Sequence, residues 1–297
     1  MGWLDSEGES ILYLTFTMNT KKYKTLQAKP GPGNFIKPGE LIDVVEMTPL
    51  TLGDRRIYNQ LMANAWDRID QDVVHTIPKK DLRGSHNVND RVGESILRLM
   101  AAMVQVYVER EGEAYIRRVQ LLGGNDESTR NDGMLYYTFP PELRAILKDS
   151  TIFARIRKDV MYALSSKYAL ALYEMIQKRG NLQHQWAEEF ELDRFRQLLG
   201  VEEGKLGRFA DLNAYAIKPA VTEVNGLADY GCKVEPVMKG RKVERVRLVW
   251  WRKSAEELKA AYSELQSPKV GRKARLGGTV EYTEAVTLIP PTVGDRN

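Results

Sequence analysis

The sequence predicts an α+β, mainly helical protein, and three observations carry that prediction. In residues 192–251 a short amphipathic helix, a turn, a long helix and two strand-like runs follow one another. Residues 51–139 show the same order of elements, although no sequence identity between the halves marks a repeat. The third observation is charge. From Lys205 to Arg252 the chain carries ten Lys/Arg against five Asp/Glu, whereas the whole chain has 44 against 40, which leaves 34 against 35 elsewhere. The simplest account is two tandem winged-helix (helix-turn-helix) domains, the second basic enough to face a polyanion.

At 297 residues the chain is long enough for two domains, and 43% hydrophobic content excludes a disordered class. The single cysteine, Cys232, excludes an internal disulfide framework and fits a reducing compartment. The early apolar run 11–18 is interrupted by Thr15 and Thr17 and has no basic leader, so no signal peptide is expected. No run approaches the roughly 20 apolar residues of a membrane span. The expected location is cytoplasmic, with no membrane partner.

In chain order, residues 1–37 read as an arm and linker. Ile11-Leu12-Tyr13-Leu14-Thr15-Phe16 suits a strand, and Lys29-Pro30-Gly31-Pro32-Gly33 is rich in breakers. Residues 38–150 read as the N-terminal winged-helix domain. Thr51-Leu52-Gly53-Asp54 resembles a capping box, followed by the apolar stripe Ile57, Leu61, Ala65. Residues 76–82 read as a short helix with Pro78 in its first turn. Residues 89–107 read as a third helix, with Val92, Ile96, Leu99, Met100 and Met103 inward. Strands at 115–122 and 134–139 flank a polar loop, 123–133.

Residues 151–253 read as the C-terminal domain. A helix starting at 143–147 leads into 152–179, where Ala169, Leu172, Tyr173 and Ile176 form a stripe. The helix 192–199 is closed by Gly200, which takes a left-handed backbone without steric cost. In 208–227 a 100° period places Phe209, Leu212, Ala216, Ala220, Val224 and Leu227 on the core side. Asp211, Ala214, Tyr215, Lys218 and Thr222 fall opposite, a small polar face suited to a major groove about 12 Å wide. The phase of Asn213 points inward. Pro219 is expected to kink the helix or loosen its ladder. Runs 232–238 and 243–251 form a hairpin through Lys239-Gly240-Arg241-Lys242. Val246, Leu248 and Trp250 face one way, Arg245, Arg247, Val249 and Trp251 the other. Val243 is out of phase with Val246, which predicts a bulge. Residues 254–297 read as a helix, 254–266, and a mobile tail carrying Lys269, Arg272, Lys273 and Arg275.

Double-stranded DNA is the partner this surface predicts. The candidate contacts are Lys205, Arg208, Asp211, Tyr215 and Lys218 on the turn and helix. Lys239, Arg241, Lys242, Arg245 and Arg247 are the candidates on the hairpin. Arg208 and Lys218 are expected to read or steady the groove, and the turn and hairpin cations to hold phosphates.

Several stretches together resemble the initiator Rep proteins of iteron-containing bacterial plasmids. They are Leu50-Thr51-Leu52-Gly53-Asp54-Arg55-Arg56-Ile57-Tyr58, Tyr137-Thr138-Phe139-Pro140-Pro141-Glu142-Leu143 and Ser166-Lys167-Tyr168-Ala169-Leu170-Ala171-Leu172-Tyr173-Glu174. The run from Leu198-Leu199-Gly200-Val201 through Arg208-Phe209-Ala210-Asp211-Leu212, Lys218-Pro219-Ala220-Val221 and Lys239-Gly240-Arg241-Lys242-Val243 continues the resemblance, which spans about 40 to 252. It implies that the C-terminal domain binds repeated origin sites, or iterons, in the major groove. It implies that the N-terminal domain adds DNA-backbone contacts, for which Lys79, Lys80 and Arg83 are candidates, and serves as a dimer interface in an autorepressing form. It further implies recruitment of the host replicative helicase, and often of the host initiator and chaperones. One departure stands out: the family pattern carries basic residues where this chain has Asn213, Ala214 and Tyr215. Base contacts are therefore expected at the Arg208 end and the wing.

No catalytic constellation is visible. The three histidines, His75, His86 and His184, show no His-x-His spacing, so the metal site of a nicking enzyme is missing. No Gly-x-x-x-x-Gly-Lys-Ser/Thr loop is present for ATP. Gly123-Gly124 reads as a turn, Cys232 as a core thiol, and Glu188-Glu189 and Glu202-Glu203 as solvated faces. The expectation is a non-enzyme without cofactor or metal that initiates plasmid replication. The alternative is a transcriptional regulator with the same DNA-binding unit.

Overall fold

The computed structural model describes residues 24–83, 92–127, 133–180 and 185–278, without the side chain of Arg110. The strand expected at 11–16, His86, His184 and the tail from 279 lie outside the described residues, whereas residues 268–278, expected to be mobile, are packed: Arg272 is buried and, with Arg275, pairs with Glu264. The first strand, β1 (Asn34–Pro38), precedes β2 (Val45–Glu46), α1 (Leu52–Ala65), β3 (His75–Pro78), α2 (Lys79–Leu82) and α3 (Val92–Ala101). Then come β4 (Met103–Arg110), β5 (Glu113–Gln120), β6 (Asn125–Glu127), β7 (Met134–Tyr137) and α4 (Pro141–Asp149). The second half holds β8 (Phe153–Arg157), α5 (Lys158–Ala163), α6 (Lys167–Arg179), β9 (Ala187–Glu191), α7 (Leu192–Leu199) and α8 (Phe209–Leu212). It continues with α9 (Lys218–Leu227), β10 (Tyr230–Lys239), β11 (Lys242–Arg252), α10 (Ala255–Gln266) and α11 (Arg272–Leu276).

Two hydrophobic cores result, one for each half, and the stretch read as linker belongs to both. β1 pairs antiparallel with β8, with Phe35 opposite Ile156. Successive side chains of a strand point to opposite faces. Phe35 accordingly enters the C-terminal core and Ile36 the N-terminal one. The expected arm of residues 1–37 is thus corrected from Thr25 onward: Thr25 and Ala28 are buried in the N-terminal half, and residues 34–38 stitch the halves together.

The N-terminal half keeps the expected order of helix, short helix, long helix and hairpin, with changes in its parts. The capping box forms as expected: Asp54 N–H donates to Thr51 Oγ1 and Thr51 N–H to Asp54 Oδ2. Residues 76–78 are strand rather than helix, with Ile77 opposite Leu135 on β7, and Pro78 only precedes α2. The third helix stops at Ala101. Val104 and Val106 then alternate inward on β4 while Met103, expected in the core, is 36% exposed. A stripe of Leu99 and Met103 imitates one more helical turn, but a β-branched residue at every second position suits a pleated strand better. The hairpin is β4–β5 and not the pairing of 115–122 with 134–139, because β7 pairs with β3 and β6. Its two-residue turn has Glu111 and Gly112 both at positive φ, the mirror-image geometry that matches strand twist.

The long helix read over 152–179 is likewise divided. Ala154 and Ile156 are buried and their neighbours are not, so 153–157 forms β8 before α5 and α6. Ser166 caps α6, accepting from Ala169 N–H. The expected stripe on α6 is buried, but so are Leu170, Ala171, Glu174 and Met175, because α9, β8 and α1 pack around the helix.

Candidate nucleic-acid interface

The second unit begins with α7, whose last turn ends at Gly200 with φ 71°. Arg196 then ties the following turn to the helix: its Nη1 donates to Leu206 O, and its Nη2 donates to Gly207 O at 2.8 Å. Lys205 stands exposed on this turn.

The helix beyond runs from α8 through one wide π turn, Asn213–Ile217, into α9. In that turn Lys218 N–H reaches back to Asn213 O, five residues away. Pro219, which has no N–H to give, follows directly; the wider turn is how the helix continues past it. The expected loosening therefore occurs, and it shifts the phase. Leu212, Ala216, Ala220, Val224 and Leu227 are buried as their period requires. Asn213, read as inward, is instead exposed, and Ile217 is buried. The outward face thus presents Asn213, Ala214, Tyr215 and Lys218, with Tyr215 70% exposed.

The wing is β10–β11. Lys239 faces Lys242 across the two-residue turn, with Gly240 at φ 62°. Val237 pairs with Arg245 but Met238 with Val243, so Glu244 is the extra residue of the expected bulge. Val246, Leu248 and Trp250 are buried, while Arg247 and Trp251 are exposed. A third strand, β9, lies along β11 and was not legible in the sequence. Its one signal was Phe190, a lone large apolar residue among acids, now buried against Phe195.

The basic candidates of this unit fall into two groups. Lys205, Lys218, Arg241, Lys242 and Arg247 are exposed, and the ion pairs among the described residues include none of them. The others already have carboxylate partners. Lys239 Nζ lies 2.7 Å from Glu244 Oε1, and Arg245 Nη1 lies 2.8 Å from Glu189 Oε2. Arg208 Nε donates to Asp211 Oδ2 at 2.7 Å and Nη2 to Oδ1 at 2.9 Å. Those hydrogen bonds hold the Asp211 carboxyl below its ordinary range and raise Arg208. Glu188 and Glu189, read as a solvated face, are engaged instead, by Arg179 and Arg245. In the N-terminal half Lys80 and Arg83 are exposed on and just after α2, whereas Lys79 is paired with Glu127.

Among the described residues no three His, Cys, Asp or Glu side chains gather as a metal site. Cys232 is buried, and burial pushes its thiol up to about 12. No helix among the described residues is long and apolar enough to cross a membrane.

Two helix-turn-helix units, each followed by a two-stranded wing, define a tandem winged-helix protein. Residues 35–177 match the family described as Initiator Replication protein, WH1, and residues 191–250 match Initiator Rep protein, WH2. The chain belongs to this family of initiator Rep proteins. Among solved structures it is similar to the Pi initiator protein in complex with iteron DNA, at TM-score 0.48 and 15% identity over 75% of this chain and 98% of that one. It is also similar to domains 2 and 3 of RctB, at TM-score 0.36 and 10% identity over 73% and 85% of the two chains. The search of curated proteins returned no match.

Proposed function

We propose that this protein initiates plasmid replication by binding repeated origin sequences, the iterons. The outward face of the helix through α8 and α9 enters the major groove, and the 201–207 turn and the wing grip the flanking phosphates. The observation that carries this reading is the set of exposed cations on the turn, helix and wing of one domain that form no ion pair among the described residues: Lys205, Lys218, Arg241 and Lys242. A cation already neutralised by a carboxylate releases little when it meets a phosphate, whereas an unpaired one displaces counterions from the duplex.

The work is done by binding energy, with no bond made or broken and no cofactor. Copies bound to adjacent repeats bend the duplex, and the stored deformation helps open neighbouring A·T-rich DNA. Lys80 and Arg83 on the N-terminal domain add backbone contacts. Self-association through that domain gives an autorepressing dimer, and the assembled origin complex recruits the host helicase, initiator and chaperones.

The test is a plasmid carrying only this gene and its neighbouring repeats. Replication in a suitable host, lost when the repeats are deleted, is the expected result. Pure protein that ignores those repeats in a mobility-shift assay at low ionic strength would overturn the reading. Binding without replication would leave a transcriptional regulator.

A further inference from the structure

We infer that Arg208 and Asp211 act as one guanine-reading unit, with Asp211 the positioning residue. The inference rests on the proposed docking of this helix in the major groove and adds a base to it. The two hydrogen bonds to Asp211 leave from Nε and Nη2, along one edge of the guanidinium. That edge is thereby filled. The opposite end keeps an N–H on Nη1 and one on Nη2, parallel and pointing away from the carboxylate. Two parallel donors at that spacing match O6 and N7 of guanine, the commonest bidentate base contact.

The setting favours a base over a phosphate. The Arg208 side chain is 82% exposed, so only Asp211 restrains it, and Asp211 is itself 31% exposed. An arginine intended for phosphate gains nothing from a neighbouring carboxylate, which cancels its charge and repels the backbone. An arginine intended for one base edge gains direction, because the bidentate grip removes rotamers it must otherwise lose on binding. Arg208 also lies where the helix leaves the turn, so its reach does not depend on the π turn that redirects Asn213. Arg241 and Lys242 at the tip of the wing form no ion pair among the described residues, which separates a reading contact from holding contacts within one domain.

The experiment uses the full chain and the sites it selects from a random-sequence duplex pool, with every base pair of the selected site then substituted in turn. Arg208→Ala is expected to lose preference for a single guanine by about tenfold or more, the scale of one bidentate contact. Asp211→Asn is expected to lose most of the same preference, at the same position, although Arg208 remains and the net charge rises by one. The double variant should discriminate no worse than Arg208→Ala alone, and Arg208→Lys should not restore the preference. If Asp211→Asn instead tightens binding to all duplexes alike with the guanine preference intact, the carboxylate is merely a competitor for a phosphate contact and the inference is wrong. A uniform loss in Arg208→Ala would also overturn it while leaving origin binding in place. A wild-type protein with no sequence preference would remove both proposals.

Discussion

Lys37 Nζ lies 2.7 Å from Glu174 Oε2, with the two side chains only 8% and 5% exposed. The pair joins β1 to the middle of α6, and Asn59 of α1 donates to the other carboxylate oxygen at 2.7 Å. Three segments from both halves of the chain thus meet on one carboxylate. Burial draws the Lys37 ammonium below its ordinary pKa, against the pull of Glu174.

Removing one partner strands the other. Glu174→Leu should lower stability by about 3–5 kcal/mol, because a buried ammonium loses its counter-charge. Adding Lys37→Met should recover much of that loss, since an apolar pair needs no desolvated charge. Urea unfolding of the two variants checks this. If the double variant is no more stable than Glu174→Leu, the pair is not the coupled unit described.

Acid should weaken the seam at a second carboxylate. Asp43 lies 2.6 Å from Lys178 and 3.0 Å from Arg179. Burial raises its pKa, but the Arg179 and Lys178 charges and their hydrogen bonds outweigh this, and the net shift is downward. A depressed folded-state pKa means stability that is present above the unfolded value, about 3.9. That stability is lost as pH falls through the lower, folded-state value. Asp43→Asn should therefore lower the unfolding midpoint at neutral pH and flatten its decline below about pH 4. An unchanged acid limb would contradict the assignment.

The same substitution should have opposite signs at two glycines. A Cβ on Gly180 would sit 2.5, 2.8 and 2.9 Å from ring atoms of Tyr230, whose hydroxyl also donates to Gly180 O. Tyr230 is 8% exposed and held on β10, so Gly180→Ala should cost about 1–3 kcal/mol. On α3 a Cβ at Gly93 meets nothing within 4 Å, and Gly93→Ala should gain about 0.5–1 kcal/mol. Thermal unfolding midpoints decide both.

On the wing, Lys242→Ala should weaken selected and random duplex alike and reduce the salt slope by about 0.9. Arg245→Ala should change the slope less, because Glu189 already neutralises that guanidinium. Affinities measured at several salt concentrations test the contrast. Equal changes in the two variants would mean that the Glu189 pair opens on DNA.

Most of the C-terminal unit was legible residue by residue. The buried series from Leu212 to Leu227, the stop at Gly200 and the bulge after Val243 all follow from periods or backbone preferences within a few residues. The N-terminal half was less legible. β3 and β4 were read as helix because short apolar runs fit either period when their partner strand is unknown. Their partners lie on β7 and β5, and no local spacing names them.

By itself the chain's order of residues determined the helix-turn-helix and wing of the second unit and the gathering of positive charge there. Only the folded structure decided that Phe35 and Ile36 enter different cores, that the π turn exposes Asn213, and which cations keep carboxylate partners. The physical reason is range. Periodicity and capping act over one or two turns of chain, whereas strand pairing and ion pairing join residues far apart in sequence, and their outcome is fixed only when the whole core closes.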